Sequence, residues 1–281
     1  MTDPADRVTD ELIELNGLRF HFRDWASDRP DAPVLMLVHG LAWHSRSWDT
    51  TARAFTSTYR VLAVDQRGHG ESAWSPTADY RAATLAGDLA AFIAAMRLSN
   101  VTLVGHSLGG RASIIYAGAR PAELARLVIV DMGIEGNPAG RARILGNVAA
   151  NDVFDDRQAQ IDQRFVVLPN GDPDENRHLA IHNGMRLADG TWTWRWDRAL
   201  RAEGGAEQLA LDPEEGWRLW KNIGVPTLLI RGADSDILSK DVAVRMAETV
   251  PDGRLVEVAG SGHSIPVERP AALIEALRTF L

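Results

Sequence analysis

The chain of 281 residues is long enough for one large α/β domain with an insertion, and its 45% hydrophobic and 24% charged residues are ordinary for a globular protein. The formal net charge of −8 argues against nucleic acid or an anionic membrane as a main partner. There are no cysteines, which excludes disulfides, thiolate metal ligands and a cysteine nucleophile. The first residues are polar and show no signal segment, and no apolar run is long enough for a membrane span, so we expect a cytoplasmic protein.

In the first half of the chain, predicted strands alternate with predicted helices. Asn16-Gly17 between two alternating apolar runs predicts a β-hairpin of residues 11–15 and 18–25. A polar loop with two glycines follows residue 64. We expect its Asp65 and Arg67 to form an ion pair that stabilises the loop. Four continuously apolar runs predict strands buried on both faces, at residues 34–38, 60–64, 101–104 and 126–130.

One short stretch carries the strongest chemical signal in the chain. The apolar run at 101–104 leads into Gly105-x-Ser107-x-Gly109, which is the spacing of the nucleophile elbow, a sharp turn between a strand and a helix that presents a serine. Glycines on both sides of the serine remove side chains that would clash in such a turn. Helix is predicted from Arg111 onward, so the N–H groups at its start point toward the serine. We therefore predict that Ser107 is a nucleophile.

Two backbone N–H groups are predicted to lie beside that serine as an oxyanion hole. The strand at 34–38 ends in His39-Gly40, and the N–H group of the next residue, Leu41, can face the elbow. The N–H group of Leu108 supplies the second donor. For His39 we expect a structural role, with its ring bonded to the backbone.

A histidine on a Gly/Ser-rich loop follows the last predicted strand, at residues 254–258. Strand and helix alternate along the chain, which predicts a parallel sheet with its active crevice at the carboxyl ends of the strands. A general base is needed at that edge, and His263 is placed to provide it. Ser107, Asp131, Asp236 and His263 all follow strands there.

The residue composition and the pattern of apolar residues change between residues 134 and 221. Buried-strand runs give way to amphipathic helical pieces, prolines and the run Trp192-Thr-Trp194-Arg-Trp196. We expect a mostly helical cap at 134–221 over Ser107, on a core formed by 1–133 and 222–281. The tryptophans alternate, so an extended run would place them on one face, where we expect them to pack the cap onto the core.

Four motifs together resemble the α/β-hydrolase superfamily of esterases, lipases and C–C hydrolases: His39-Gly40, the loop at 65–72, the elbow at 105–110 and Gly262-His263. The resemblance covers residues 11–133 and 222–281, with the stretch between them in place of the family's variable cap. It implies an α/β fold with a mostly parallel eight-stranded sheet, flanking helices and a helical cap after the sixth strand. The elbow serine separates the chain from epoxide hydrolases and haloalkane dehalogenases, which carry aspartate there.

The acid that would complete a triad departs from the commonest pattern of the family. The family usually places aspartate at the position occupied here by Ser235, after the seventh strand, while a minority branch uses the end of the sixth strand. Asp131 stands at the latter place, on a short loop that leaves it little freedom. Asp236 is the alternative, but it lies further along its loop, where it could cap a following helix. We favour Asp131, and both choices keep the chain order Ser, Asp, His.

These residues predict a serine hydrolase that cleaves a small carboxylic ester, lactone or amide through an acyl-enzyme. Neither a metal nor an organic cofactor is expected, the only partner we expect is a small-molecule substrate, and the oligomeric state is left open. Two alternatives share the same triad. One is a C–C hydrolase of β-diketone-type substrates, and the other is a receptor-like α/β-hydrolase that binds a small ligand with slow turnover.

Overall fold

The computed structural model describes residues 7–27, 29, 31–149, 152–202, 205 and 207–281. The strands in these ranges are β1 (Val8–Leu15), β2 (Leu18–Trp25), β3 (Val34–Val38), β4 (Arg60–Val64), β5 (Val101–His106), β6 (Leu124–Val130), β7 (Val153–Phe154), β8 (Gly184–Arg186), β9 (Trp192–Trp194), β10 (Thr227–Gly232) and β11 (Gly253–Val258). The helices are α1 (Asp49–Arg53), α2 (Ala82–Ala95), α3 (Leu108–Gly118), α4 (Pro138–Ala149), α5 (Arg157–Val167), α6 (Pro173–His182), α7 (Pro213–Asn222), α8 (Lys240–Thr249), α9 (Ile265–Glu268) and α10 (Pro270–Arg278). None of the helices in these ranges has the length and apolar character needed to cross a membrane.

Eight strands form one sheet in the order β1-β2-β4-β3-β5-β6-β10-β11. From β4 to β11 every neighbouring pair is parallel, whereas β2 runs antiparallel to both of its neighbours. The turn between β1 and β2 has φ of 53° at Asn16 and 75° at Gly17, the two positive values that a type I′ hairpin requires. The predicted hairpin and the predicted mostly parallel eight-stranded sheet are therefore confirmed.

Apolar side chains cover both faces of this sheet. On β5, Leu103 belongs to one core layer and the next residue, Val104, belongs to the other, as the alternation along a strand requires. Side chains of α2, α3, α7 and α8 fill the first layer, and those of α1 and α10 fill the second. Burial on both faces explains why the central strands appear as unbroken apolar runs in the sequence.

The carboxyl ends of the central strands lie side by side. Val130 at the end of β6 pairs with His106 on β5 and with Ile230 on β10, and Gly232 on β10 pairs with Val258 on β11. The residues that follow these four strands therefore meet at one edge of the sheet, although they are far apart in sequence.

The loop after β4 is pinned differently from what the sequence suggested. Nδ1 of His21 lies 2.7 Å from Oδ2 of Asp65, while the guanidinium of Arg67 bonds to both oxygens of Asp88 at 2.5 and 2.6 Å. The predicted pair between Asp65 and Arg67 is wrong. Asp65 and Arg67 bond instead to His21 on β2 and to Asp88 on α2, which are distant in sequence.

Between β6 and β10 the chain forms α4, α5, α6 and a small antiparallel sheet in the order β7-β9-β8. We expected helices there, and the small sheet was not foreseen. The last helix before β10, α7, packs against α3, and Trp220 is fully buried in the core with its Nε1–H group donating to the carbonyl oxygen of Met246 at 2.9 Å. We therefore propose that the cap ends near Asp212 and not at residue 221.

Candidate active site

Ser107 lies on the turn between β5 and α3, in a conformation that costs energy for a residue with a side chain. Its φ is 51° and its ψ is −112°. The turn is tight: a Cβ atom on Gly105 would lie 2.5 Å from the carbonyl oxygen of Gly109, and one on Gly109 would overlap the carbonyl oxygen of Val38. The two glycines of the motif are therefore required by packing, and the turn exposes the Ser107 side chain at the carboxyl edge of the sheet.

The ring of His263 connects Ser107 to a carboxylate. Its Nε2 atom lies 3.0 Å from Oγ of Ser107, and its Nδ1 atom lies 2.8 Å from Oδ2 of Asp131. The loop that carries the ring is fixed by Glu268, which accepts hydrogen bonds from the Ser261 hydroxyl at 3.0 Å and from the Gly262 N–H group. This arrangement orients the imidazole for accepting a proton from the serine.

The ring of His106 also holds the loop that carries His263. Its Nε2 atom lies 3.0 Å from the carbonyl oxygen of His263, which can only accept, so Nε2 carries the proton. Burial and the neighbouring His263 lower the pKa of His106 well below its ordinary value, so the ring is neutral. Its role is to hold the loop rather than to titrate.

Asp131 follows β6 and is completely buried. Besides the His263 ring, the N–H group of Gly232 donates to Oδ1 at 2.9 Å and the hydroxyl of Ser235 donates to Oδ2 at 2.5 Å. Three donors thus fix the carboxylate toward His263. The sequence pointed to Asp131 but not to the supporting role of Ser235, which stands where the family commonly has the acid itself.

Asp236, the alternative acid, faces another partner. Its two oxygens accept hydrogen bonds from the guanidinium of Arg143 at 2.6 and 2.7 Å, and its side chain is 39% exposed. The bond to Arg143 lowers the pKa of Asp236 below its ordinary value. Asp236 forms no hydrogen bond with His263, so the described residues place Asp131 and not Asp236 beside the ring.

The ends of β3 and α3 meet at the serine. The N–H group of Gly109 donates to the carbonyl oxygen of His39 at 3.0 Å, and the Leu108 N–H group, at the first position of α3, has no acceptor within the helix. Leu41 and Leu108 both line a cavity together with Ser107. The ring of His39 is bonded to the backbone as expected, with Nδ1 2.8 Å from the carbonyl oxygen of Gly40.

Two cavities open on Ser107. The smaller, of about 110 Å³, is lined by His263 and by cap residues that include Trp194 and Trp196. The larger, of about 600 Å³, lies on the other side of the serine and is lined by residues of α3, α4 and the segment before α7. Trp196 packs with Leu108 and Ala112 of the core, which confirms the predicted packing role, and Trp194 and Trp196 also form part of a cavity wall.

Charged side chains near the smaller cavity were not found by sequence reasoning. Arg164 on α5 is buried, its Nε–H group donates to Oδ1 of Asn176 at 3.2 Å, and its guanidinium lies over the ring of Trp43. Burial lowers the pKa of Arg164 to about 10.

Nowhere in the described ranges do three or more His, Asp or Glu side chains cluster as a metal site requires.

Comparison with known families agrees with this architecture. A sequence model described as the alpha/beta hydrolase fold matches residues 33–270, which is most of the chain. The chain therefore belongs to the α/β hydrolase family, and it is an enzyme of the hydrolase class.

Individual relatives point the same way. Esterase Rv0045c of Mycobacterium tuberculosis is 30% identical over 257 residues, which cover 89% of this chain and 83% of the esterase. The 2-(acetamidomethylene)succinate hydrolase of Mesorhizobium japonicum is 26% identical over 281 residues, covering 99% and 96% of the two chains. A crystal structure of E-2-(acetamidomethylene)succinate hydrolase superposes with a TM-score of 0.87 over 98% of this chain and 99% of that one, at 24% identity, which is evidence for the shared fold.

Proposed function

We propose that the protein hydrolyses a small carboxylic ester, lactone or amide through an acyl-enzyme on Ser107. The observation that carries this proposal is the unbroken hydrogen-bonded chain from Ser107 through His263 to Asp131, with distances of 3.0 and 2.8 Å. Such a chain makes a serine hydroxyl nucleophilic, because the imidazole removes its proton as the new bond to carbon forms.

In the first half-reaction, Oγ of Ser107 attacks the carbonyl carbon while Nε2 of His263 takes the hydroxyl proton. Asp131 stabilises the resulting imidazolium through Nδ1–H, and the N–H groups of Leu41 and Leu108 bind the oxyanion. Collapse of the tetrahedral intermediate releases the leaving group, which receives the proton from His263. Water, deprotonated by the same ring, then attacks the acyl-enzyme and frees the acid and Ser107.

Residues 134 to about 212 act in this proposal as a cap that closes over the serine and shapes both cavities. Support comes from their position, since α4 contributes to the walls of both cavities and β9 to the smaller one. Substrate choice would then reside in the cap, and the chemistry in the core.

A fluorophosphonate probe tests the nucleophile directly. We expect it to label Ser107 alone, as mapped by peptide mass spectrometry, and Ser107→Ala to abolish labelling and to lower kcat/KM for 4-nitrophenyl butyrate by on the order of 10⁶. Ser113→Ala is the matched control, because Ser113 lies on the helix that follows Ser107 and, among the described residues, its hydroxyl bonds only to the carbonyl oxygen of Gly109. Labelling of another serine would contradict the proposal, and a single turnover without further product would favour a receptor-like role.

A further inference from the structure

The larger cavity has features that the hydrolytic chemistry alone does not require. Its volume of about 600 Å³ is in the range of small-molecule sites. Most of its wall is apolar, with Ile114, Met132 and Leu145 among the lining residues, but two arginines, Arg111 and Arg141, also line it. An apolar cavity with two arginines in its wall suits an amphipathic ligand that carries a negative charge.

Arg111 lies one helical turn beyond Ser107, and its backbone N–H group donates to the Ser107 carbonyl oxygen at 3.0 Å. Its Nη1 group donates to the carbonyl oxygen of Leu209, which fixes the guanidinium at the cavity wall, and Nη2 lies 3.8 Å from Sδ of Met132. The Nε–H group is buried without a partner among the described residues. Burial, together with the charge of Arg141, lowers the pKa of Arg111 to about 10, so the group remains a cation at neutral pH.

No described carboxylate neutralises this cation. The ion pairs in the described ranges include neither Arg111 nor Arg141. One carboxylate, Asp212, does line the same cavity, but it is exposed and its Oδ1 atom accepts from the N–H group of Glu215 as the cap of α7. Arg111 is partly buried, and a cation in such a place without a counter-ion is destabilising, so a bound anion would stabilise it.

The position of His263 decides which part of a substrate enters this cavity. His263 must hand its proton to the leaving group, so the leaving group has to lie on the His263 side of Ser107. His263 lines the smaller cavity and is absent from the wall of the larger one, whereas Leu108, with its oxyanion N–H group, lines the larger. The acyl part therefore extends into the larger cavity, toward Arg111.

We infer that the substrate is a monoester or monoamide of a dicarboxylic acid, whose free carboxylate is bound by Arg111 in the wall of the larger cavity. This inference rests on the proposed function. Hydrolysis consumes one water, transfers the acyl group from the leaving oxygen or nitrogen to Oγ of Ser107 and then to water, and yields the dicarboxylate and a protonated leaving group.

A matched pair of fluorogenic substrates tests the inference. Mono(4-methylumbelliferyl) adipate and 4-methylumbelliferyl heptanoate have the same leaving group and acyl parts of similar size, and differ in the terminal carboxylate. We expect kcat/KM to be about 10- to 100-fold higher for the adipate ester, as a charge-assisted bond to a carboxylate provides. Arg111→Met should abolish that preference, so that the ratio of the two rates falls to about one, and Arg111→Lys should keep part of it.

Arg218→Met is the control, since it removes an exposed arginine outside both cavities. A second readout needs no turnover: free adipate should slow fluorophosphonate labelling of Ser107 more than free heptanoate does, and only when Arg111 is present. Normal hydrolysis of both esters without a preference, or a preference unchanged in Arg111→Met and Arg111→Lys, would overturn the inference and leave the proposed function standing. A third outcome would also overturn the inference: a preference for 4-acetoxybenzoate over phenyl acetate that persists in Arg111→Met, with no preference for the adipate ester over the heptanoate ester. That result would place the anion site on the leaving-group side. Failure of the probe to label Ser107 would instead overturn the proposed function.

Discussion

Replacing Asp131 by asparagine changes one charge beside His263 and keeps the size of the side chain. In the native site the carboxylate accepts from the Nδ1–H group of His263 at 2.8 Å. The amide oxygen of an asparagine can still accept from the Gly232 N–H group, which leaves its NH₂ group facing the ring. An NH₂ group donates, so Nδ1 must give up its proton and the proton moves to Nε2. In that tautomer the ring cannot accept from Ser107.

The size of the effect follows from this wrong tautomer. In the well-studied protease triad the same exchange lowers kcat by about 10⁴, which corresponds to roughly 5.5 kcal/mol of transition-state stabilisation. Asp236→Asn is the matched comparison, because it makes the same chemical change on the loop after the neighbouring strand β10, at an acid that is 39% exposed and paired with Arg143. Loss of such a surface pair lowers the free energy of unfolding by at most about 1 kcal/mol, and Asp236 is not hydrogen-bonded to the His263 ring, so we expect less than about a fivefold change in rate.

The assay is a side-by-side measurement of kcat/KM on 4-nitrophenyl butyrate for the two variants and the wild type, with thermal denaturation to show that both variants fold. We expect Asp131→Asn to be nearly inactive and Asp236→Asn to be close to wild type. If Asp131→Asn kept more than a tenth of the activity, or if the ranking were reversed, the assignment of the acid to β6 would be refuted.

Three further variants test the surroundings of the site. Ser235→Ala removes one donor to Asp131 and should lower kcat/KM about fivefold with little effect on KM, and an unchanged rate would mean that the other donors suffice. Gly109→Ala should be strongly destabilised in urea denaturation because its Cβ would overlap backbone oxygens, whereas Gly87→Ala on α2 has open space and should gain up to about 1 kcal/mol; equal effects would contradict the packing argument. Burial lowers the pKa of His69 to about 3. As the pH falls below 6.5, His69 is protonated in the unfolded chain but stays neutral in the folded one, so the free energy of unfolding decreases. His69→Asn should therefore reduce the loss of unfolding free energy between pH 7 and 5 by about 2 kcal/mol, and an unaltered loss would disprove this account.

Features set by neighbouring residues were predictable from the sequence. The type I′ turn at Asn16-Gly17 needs two residues that tolerate positive φ, and the turn at Ser107 needs small residues on both sides, so each leaves a local signature. The unbroken apolar runs likewise indicate strands that are buried on both faces. The register of such strands then brings Ser107, Asp131 and His263 to one edge of the sheet.

Features set by distant partners were not predictable in the same way. Arg67 could have paired with Asp65 on its own loop, but Asp88 on α2 is better placed for two bonds. The helix α7 looks like part of the insertion by position, but its Trp220 is buried against α8, and for that reason we propose that the helix belongs with the core. Which of two partners a side chain binds depends on distances in the folded structure, and a local sequence pattern does not give these distances.

The two candidate acids show how the fold limits such a choice. Because β6 and β10 are neighbouring parallel strands, with Val130 opposite Ile230, the residues after them approach the His263 ring from almost the same place. The β10 loop contributes to the site even though it does not carry the proposed acid, since Gly232 and Ser235 both donate to the carboxylate of Asp131. What the chemistry requires is a carboxylate oxygen about 2.8 Å from Nδ1, and Asp131 on the loop after β6 provides it. The strand that does not supply the acid supplies the donors that hold it.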